Sequence, residues 1–259
     1  MISHVDHDGG STYYPRIVLC LPGPWESRED LEARLRAGAF RLEEGKMLSS
    51  DGREAFEAEY RGPDPRMTSA FQASACRVRP SLTPADFHAI GGHRGVLYVL
   101  SDAYGRSTAA ASAGRMIEVG QALVDAGAIA VKCESAGIAH SARRWRELAG
   151  RIFEAFVRLP ILSDADEIYS CGMQLLGAPE GILPLKAFGE RNLMAAYRVL
   201  EDFLRGVEKE AASRYPAQRT FRSPESGRFL ATLEPCTKYE QDDFMWNRWG
   251  CYRLQRSTE

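Results

Sequence analysis

The chain has 259 residues, of which 44% are hydrophobic and 26% charged, and its formal net charge at pH 7 is −2. These proportions exclude an intrinsically disordered chain, which would have fewer hydrophobic residues or a larger net charge. The balanced charge also argues against a dedicated nucleic-acid binder, which usually carries a basic stripe. No run reaches the roughly 18 apolar residues of a membrane span, and residues 1–14 do not resemble a signal peptide. We therefore expect a cytoplasmic protein with neither a nucleic-acid nor a membrane partner.

Six cysteines are scattered without a Cys-x-x-Cys pair: Cys20, Cys76, Cys133, Cys171, Cys236 and Cys251. Metal sites need clustered ligands, so this spacing favours reduced, mostly buried thiols over a zinc site or a disulfide framework. His4, Asp6, His7 and Asp8 are close in sequence, but they fall in residues 1–14, which we expect to form a flexible tail. We expect no bound metal and no cofactor.

The N-terminal elements follow from a short apolar run and a capping residue. Residues 17–21 (IVLCL) predict a buried strand, which the Pro-Gly-Pro at residues 22–24 ends. Ser27 then fits the N-cap of a helix whose first turn is acidic. Gly38 is a suitable residue to end that helix.

Residues 40–78 predict an antiparallel meander. Asp51-Gly52 is a tight-turn signal between residues 46–50 and residues 54–60. Apolar and charged residues alternate in the second of these segments, as expected for a half-buried strand. Residues 71–78 are expected to form a neighbouring strand of the same sheet.

The strongest strand signal, residues 96–100 (VLYVL), begins the central unit of the chain. A helix that Thr83 caps precedes it. A helix over residues 107–126, rich in alanine, serine and glycine, follows it and leads to a second apolar strand at residues 128–131. This order suits a right-handed βαβ crossover, although an antiparallel return is also possible.

The C-terminal half predicts two more helices and three strands. Ser141 is expected to cap a helix that Pro160 closes, and residues 193–207 predict an amphipathic helix. Strands are expected at residues 167–173, 228–233 and 249–254.

Together these elements predict an α+β fold with a mixed β-sheet, a βαβ-like central unit and packed helices. We expect one compact domain over residues 15–259, following the tail of residues 1–14. Residues 177–184 are the best candidate for a subdivision.

Two groups of residues suggest catalysis without completing a known arrangement. The loop from Ser101 to Ser107 joins a strand to a helix, where ligands often bind in α/β sheets, but it has one glycine and no P-loop lysine. Glu134, Ser135 and His140 supply the residue types of a triad, yet no Gly-x-Ser-x-Gly elbow presents the serine. For His140 we favour a place at the entry of the following helix.

The residues that best fit a binding surface are acidic clusters and a dense aromatic group. Carboxylates in loops are most often solvated, while tryptophan is enriched at binding hot spots and is also a common core residue. Both interpretations of the aromatic group, a core plug and a recognition surface, stay open. The candidate partner-binding residues are Asp164, Asp166, Glu167, Glu240, Asp242, Asp243, Trp246 and Trp249.

Three features give the chain a resemblance to a known family. They are the strand at residues 96–100 with its alanine-rich helix, the segment from Gly127 to Trp145 that contains His140, and residues 171–180 with the aromatic tail. With these features the chain resembles the immunity protein 52 family of bacterial polymorphic-toxin systems. The resemblance implies an α+β protein that neutralises a cognate toxin with a restriction-endonuclease-like domain, delivered by contact-dependent or type VI secretion. It implies no catalytic residues.

We therefore expect an immunity protein that is not an enzyme and that inhibits a nuclease toxin by direct binding. Nuclease sites are electropositive where they hold phosphates, so carboxylates on an inhibitor would steer association. The alternative is an enzyme that processes a small molecule or phosphate at the Ser101 to Ser107 loop.

Overall fold

The computed structural model describes residues 14–36, 38–75, 82–162, 166–188, 192–210 and 215–257. Two β-sheets and seven helices within these ranges make a compact α+β protein, as predicted. The helices are α1 Arg28–Leu35, α2 Met67–Ser74, α3 Pro84–Gly91, α4 Ala109–Asp125, α5 Ala142–Arg146, α6 Ile152–Phe156 and α7 Leu193–Lys209. None of the helices in these ranges is long and apolar enough to cross a membrane.

The first sheet has seven strands in the order β2-β3-β4-β5-β1-β6-β7, and every neighbouring pair is antiparallel. Its strands are β1 Val18–Gly23, β2 Phe40–Glu43, β3 Lys46–Ser49, β4 Ala55–Arg61, β5 Gly95–Leu100, β6 Ala130–Cys133 and β7 Ile138–Ser141. The expected hairpin between β3 and β4 is present. β2 was not predicted, and it joins β3 through Glu44 and Gly45, which both have positive φ.

The two strands of the central unit, β5 and β6, run in the same direction, as predicted, but another strand lies between them. β5 and β6 both run antiparallel to β1, which lies between them, so α4 connects two strands of the same direction. All six residues of β1 are buried, because its side chains alternate between a cluster that contains Leu19 and Leu21 on one face and a cluster that contains Cys20 on the other. The return strand begins at Ala130 rather than residue 128, because the Ala128 N–H still closes the end of α4 on the Leu123 carbonyl.

The second sheet has six strands in the order β11-β12-β13-β10-β9-β8, and it is the mixed sheet of the molecule. β10 and β13 are parallel, whereas the other neighbouring pairs are antiparallel. The strands are β8 Ile161–Leu162, β9 Glu167–Tyr169, β10 Glu180–Pro184, β11 Gln218–Ser223, β12 Gly227–Glu234 and β13 Cys251–Arg256. β11 was not predicted.

Three predicted elements are wrong in type or length. The strand expected from residue 71 is instead helix α2, whose buried residues Met67, Phe71 and Ser74 follow helical spacing; residues 76–78 lie outside the described ranges. The helix expected between Ser141 and Pro160 is two short helices, with Gly150 at φ 71° between them. The strand expected over residues 167–173 ends at Tyr169.

The predicted helix caps are confirmed. The Ser27 and Ser141 hydroxyls accept hydrogen bonds from the N–H groups of Asp30 and Arg144. Thr83 and Asp86 form a reciprocal capping box at the start of α3. These local signals involve residues three apart, so the sequence reveals them directly.

One buried apolar cluster contains residues of both sheets, including Leu19 and Val131 from the first and Tyr252 and Leu254 from the second. Helix α4 packs closely within it, because a Cβ at Gly120 would lie 2.7 Å from the Trp145 Nε1 atom. The Trp145 indole also donates to the Ile117 carbonyl. Residues 177–184, the candidate subdivision, contain β10, an interior strand of the second sheet.

A candidate interaction surface and its buried support

Residues 235–250 form the loop between β12 and β13 and carry five of the eight predicted partner-binding residues. The loop contains neither helix nor strand. Structureless loops longer than roughly 12–15 residues are uncommon in compact domains and are usually functional or disordered. This one is held by specific hydrogen bonds, which makes it the leading candidate site. We call it the acidic–aromatic loop.

The acidic part of this loop is exposed and unpaired. Glu240, Asp242 and Asp243 are all exposed, and none forms an ion pair with a residue in the described ranges. Asp243 accepts a hydrogen bond from the Met245 N–H at 2.7 Å, which bends the chain locally. Phe244 follows with 49% of its surface exposed. Three uncompensated carboxylates therefore stand next to an exposed aromatic ring.

The two tryptophans of the loop are half-buried. Neither Trp246 nor Trp249 belongs to the buried core or to the residues packed against it. The core-plug interpretation of the aromatic group is therefore wrong for both rings. A half-buried tryptophan at the surface presents part of an apolar ring together with one N–H donor, a combination that is enriched at interfaces.

Asn247 bonds the loop to the second sheet. Its side chain is 1% exposed, and Nδ2 donates to the Ala178 carbonyl at 2.8 Å and to Glu180 Oε1 at 3.3 Å. Its Oδ1 accepts from the Trp249 N–H at 2.9 Å. The buried Gln174 amide adds a second bond, donating to the Phe244 carbonyl at 3.2 Å. Hydrogen bonds to buried residues therefore fix the backbone beside each tryptophan: Trp246 precedes Asn247, and the Trp249 N–H bonds to the Asn247 side chain.

Glu180, fully buried at the start of β10, is the centre of this support. Oε1 accepts from the N–H groups of Gly172 and Gln174, each at 3.2 Å, and Oε2 accepts from the Ser170 hydroxyl. Burial raises the pKa of Glu180 to about 8, against the opposing effect of these donors. A buried carboxyl with so many partners fixes geometry, because its removal would leave the Ser170 hydroxyl and the Gln174 N–H without an acceptor.

Cys171 and Cys251 lie beneath the same loop, in a small cluster with Tyr169 and with the loop residues Cys236 and Tyr239. The Cys171 Sγ lies 3.4 Å from the Tyr239 hydroxyl. A hydrogen bond from the Cys251 thiol lowers the pKa of the partly exposed Cys236 to about 5. The described cysteines are free thiols, and all but Cys236 are buried, in line with the prediction; Cys76 lies outside the described residues.

The other predicted acidic cluster has a different environment. Glu167 keeps only 13% of its side chain exposed and pairs with Arg253 at 2.5 Å and with Lys238 at 3.9 Å. Lys238 belongs to the acidic–aromatic loop, so Glu167 supports the loop from below and offers no free charge. Asp166 is exposed, and its backbone has a positive φ of 48°. Asp164 lies outside the described residues, as do His4, Asp6, His7 and Asp8.

Residues 105–107, the end of the candidate enzyme loop, border a cavity of 750 Å³. The Ser101 hydroxyl forms its hydrogen bonds with the backbone: it accepts from the Ile17 N–H at 2.9 Å and donates to the Asp102 carbonyl. Arg106 lies 3.7 Å from the centre of the Tyr215 ring, and Tyr215 and Trp249 also line the cavity. The structure therefore brings the candidate enzyme loop and the aromatic tail together.

The triad residue types do not assemble. The Ser135 hydroxyl donates to the Arg16 carbonyl at 2.7 Å and accepts from the Val18 N–H. Glu134 pairs with Lys132 at 2.6 Å. His140 Nε2 bonds to the Ala155 carbonyl at 3.1 Å. Each residue is engaged elsewhere, and Ser141 makes the helix entry that was expected beside His140.

Sequence reasoning missed the buried support and found the exposed part. Glu180 entered the sequence analysis only within a resemblance, and Gln174 and Asn247 carried no signal. A charged residue beside an apolar strand segment (EGILP) is the one hint that Glu180 is buried. Tyr14 and Tyr215 were also missed, since their partners Arg248 and Arg106 are far away in sequence.

Comparison with known proteins adds no further identification. No protein-family model matches the chain, and no curated protein or solved structure matches it either. The resemblance to the immunity protein 52 family therefore stays a prediction.

Proposed function

We propose that this chain is a cytoplasmic immunity protein that binds a cognate bacterial toxin through the acidic–aromatic loop and blocks it without catalysing a reaction. One observation carries the proposal. Three exposed, unpaired carboxylates, one exposed phenylalanine and two half-buried tryptophans share a loop that a buried network holds in place. An inhibitor needs such a preformed surface, since ordering a loop on binding costs affinity.

The chemistry of the surface selects a basic partner. Glu240, Asp242 and Asp243 lie within four positions of one another, so their fields add over the distance of a Debye length, about 8 Å at physiological salt. A nuclease holds the phosphates of its substrate with cationic groups, and such a site attracts an acidic surface. The aromatic rings would then supply apolar contact once the surfaces meet.

The proposal is tested by co-expression with the C-terminal domain of the effector encoded beside this chain. Rescue of growth, together with co-purification of the two proteins, is the expected result. Failure of the intact chain to rescue cells from that domain would remove the proposal. Since rescue alone does not locate the interface, variants of the loop are needed as well.

Charge reversal locates the surface. Asp242→Lys with Asp243→Lys should lower the association rate for the toxin about tenfold at low salt, and the loss should shrink as salt is added. Glu57→Lys with Glu59→Lys, on exposed positions of β4, is the matched control because it changes net charge equally. Equal losses in the two double variants would show that net charge, and not this loop, guides association.

A second candidate function is binding of a phosphorylated small molecule in the 750 Å³ cavity beside residues 105–107. The observation that favours it is the pairing of cations with aromatic rings there: Arg248 lies 4.3 Å from the Tyr14 ring centre and Arg106 stacks on Tyr215. Trp249 lines this cavity and Trp246 does not. Small-molecule binding in this cavity should therefore be weakened by Trp249→Ala and not by Trp246→Ala. A protein interface on the loop should be weakened by both variants. Titration with AMP and with inorganic phosphate distinguishes the two.

A further inference from the structure

A second cavity, of 390 Å³, lies on the side of the molecule formed by β7, α5, α6 and α7. No residue of the acidic–aromatic loop lines it. Its volume falls within the range of small-molecule sites, roughly 300–1,000 Å³. Its wall is partly apolar, from Ile138, Phe153, Val157 and Leu159, and partly charged.

His140 supplies the first specific group of this cavity. The ring is 4% exposed and lies 5.8 Å from that of Trp145. Burial lowers the pKa of His140 to about 4, so the ring is neutral at pH 7. Because Nε2 must carry the proton to donate to the Ala155 carbonyl, Nδ1 is an acceptor. No donor reaches Nδ1 within the described residues, although the atom is buried.

The cations of the cavity supply the second group. Arg205 is neutralised by Glu154 at 3.3 Å and Glu201 at 2.9 Å. Arg144 pairs with Glu147 at 2.8 Å. These pairs use all three carboxylates of the lining.

Two further arginines of the lining have no carboxylate partner among the described residues. Arg158 donates to the carbonyls of Gly137 and Ala73, at 2.8 and 3.0 Å, which leaves its charge uncompensated. Arg143 is exposed on α5, beside Ser141, and forms no ion pair there. The cavity therefore has an excess of positive charge.

We propose that this cavity binds a small organic acid with an apolar body and a hydroxyl or N–H group, a ligand distinct from the partner of the acidic–aromatic loop. Arg143 and Arg158 pair with the carboxylate. The apolar body lies against Phe153 and Leu159. The hydroxyl or N–H donates to His140 Nδ1 and gives this buried acceptor the partner that the protein does not provide.

The test uses three probes of one shape. 4-Hydroxyphenylacetate has all three features, phenylacetate lacks the hydroxyl, and tyramine carries an amine in place of the carboxylate. Calorimetric titration of the intact chain should give a Kd on the order of 1 mM or below for 4-hydroxyphenylacetate. Phenylacetate should bind about tenfold more weakly, and tyramine should not bind measurably. Equal affinities for the three probes, or no binding of any, would overturn the proposal.

Variants and a spectroscopic readout assign the contacts. Arg143→Glu should weaken 4-hydroxyphenylacetate at least about tenfold, whereas Arg146→Glu, an exposed arginine of the same helix outside the lining, should leave it unchanged. The ¹⁵N resonance of His140 Nδ1 should move on titration with 4-hydroxyphenylacetate and much less with phenylacetate. An Nδ1 resonance that does not move with 4-hydroxyphenylacetate, or equal effects of the two arginine variants, would contradict the assignment. Neither result would bear on the proposed binding of a toxin by the acidic–aromatic loop.

Discussion

The two sides of the acidic–aromatic loop use the same functional group in opposite ways. On the outer side, Asp242 and Asp243 are exposed and unpaired. On the inner side, Glu180 is fully buried and accepts hydrogen bonds from four donors. An exposed charge acts over a distance and is screened by salt, whereas the buried Glu180 carboxyl, which its raised pKa keeps mostly protonated at pH 7, acts on its neighbours through hydrogen bonds. Glu167 is intermediate, since it is nearly buried and pairs with two cations. The comparison shows that a carboxylate in this chain gets its role from its surroundings.

The largest effect should come from the inner side. Glu180→Ala leaves the Gln174 N–H and the Ser170 hydroxyl without an acceptor, so we expect a loss of about 3 kcal/mol in the free energy of unfolding. Urea denaturation followed by circular dichroism measures it. Asp242→Ala is the control and should stay within about 0.5 kcal/mol of the unmodified chain. Equal losses of unfolding free energy in the two variants would contradict the distinction between a stabilising inner carboxyl and an exposed outer one.

Trp246→Ala should be the next largest effect, and it should appear in binding alone. If the half-buried ring contacts the toxin, its removal should raise the dissociation rate by a factor equivalent to about 2 kcal/mol. Surface plasmon resonance against the toxin domain measures the rate. The midpoint of thermal unfolding without toxin should change little; a large drop there would place Trp246 among the stabilising residues and remove it from the interface.

The pH dependence of stability tests the protonation of Glu180. Its pKa is raised from 4.5 to about 8, so the folded protein keeps a proton that the unfolded chain releases above pH 4.5. The stability that Glu180 contributes is thus complete below pH 4.5 and declines as the pH rises to about 8, with a slope of up to about 1.4 kcal/mol per pH unit.

The measurement compares urea unfolding of the unmodified chain and of Glu180→Gln across this pH range. The lowered pKa of His140 gives an opposite slope, in which stability is lost as the pH falls from 6.5 towards 4. That contribution is common to both proteins and cancels in the difference. A difference that is constant with pH would mean that Glu180 stays ionised in the folded protein.

The smallest effect should come from Glu167→Gln. It breaks the ion pairs with Arg253 and Lys238, and partly exposed pairs are worth about 1 kcal/mol or less. We expect that loss in urea unfolding and no change in the association rate for the toxin. A slower association, comparable with that of the Asp242→Lys and Asp243→Lys variant, would mean that Glu167 belongs to the outer surface after all.

The predictable part of the structure is the part decided by near neighbours. The Ser27 cap, the Thr83 capping box and the hairpin between β3 and β4 depend on residues a few positions apart, and all are present. The α+β class followed from hydrophobic periodicity alone. Where the periodic signal was weak, as in α2, the predicted element was of the wrong type.

The exposed part of the candidate site was predictable for a similar reason. A concentration of aromatic and acidic residues such as 240–249 is visible in the sequence. Whether each side chain faces solvent, an ion pair or the core is not, because that depends on distant residues. Glu167 and Asp242 carry the same charge, yet only the former meets Arg253 across the second sheet.

The sequence by itself determined the class of fold, most element positions and the location of the acidic–aromatic loop, since these follow from composition and local spacing. Only the tertiary structure decided that β1 lies between β5 and β6, that Glu180 is the buried centre beneath the loop, and that His140 keeps an unpartnered nitrogen beside a cavity. The physical reason is that burial and hydrogen-bond partners arise between residues far apart in the chain, such as Asn247 and Ala178, where local propensity carries no information.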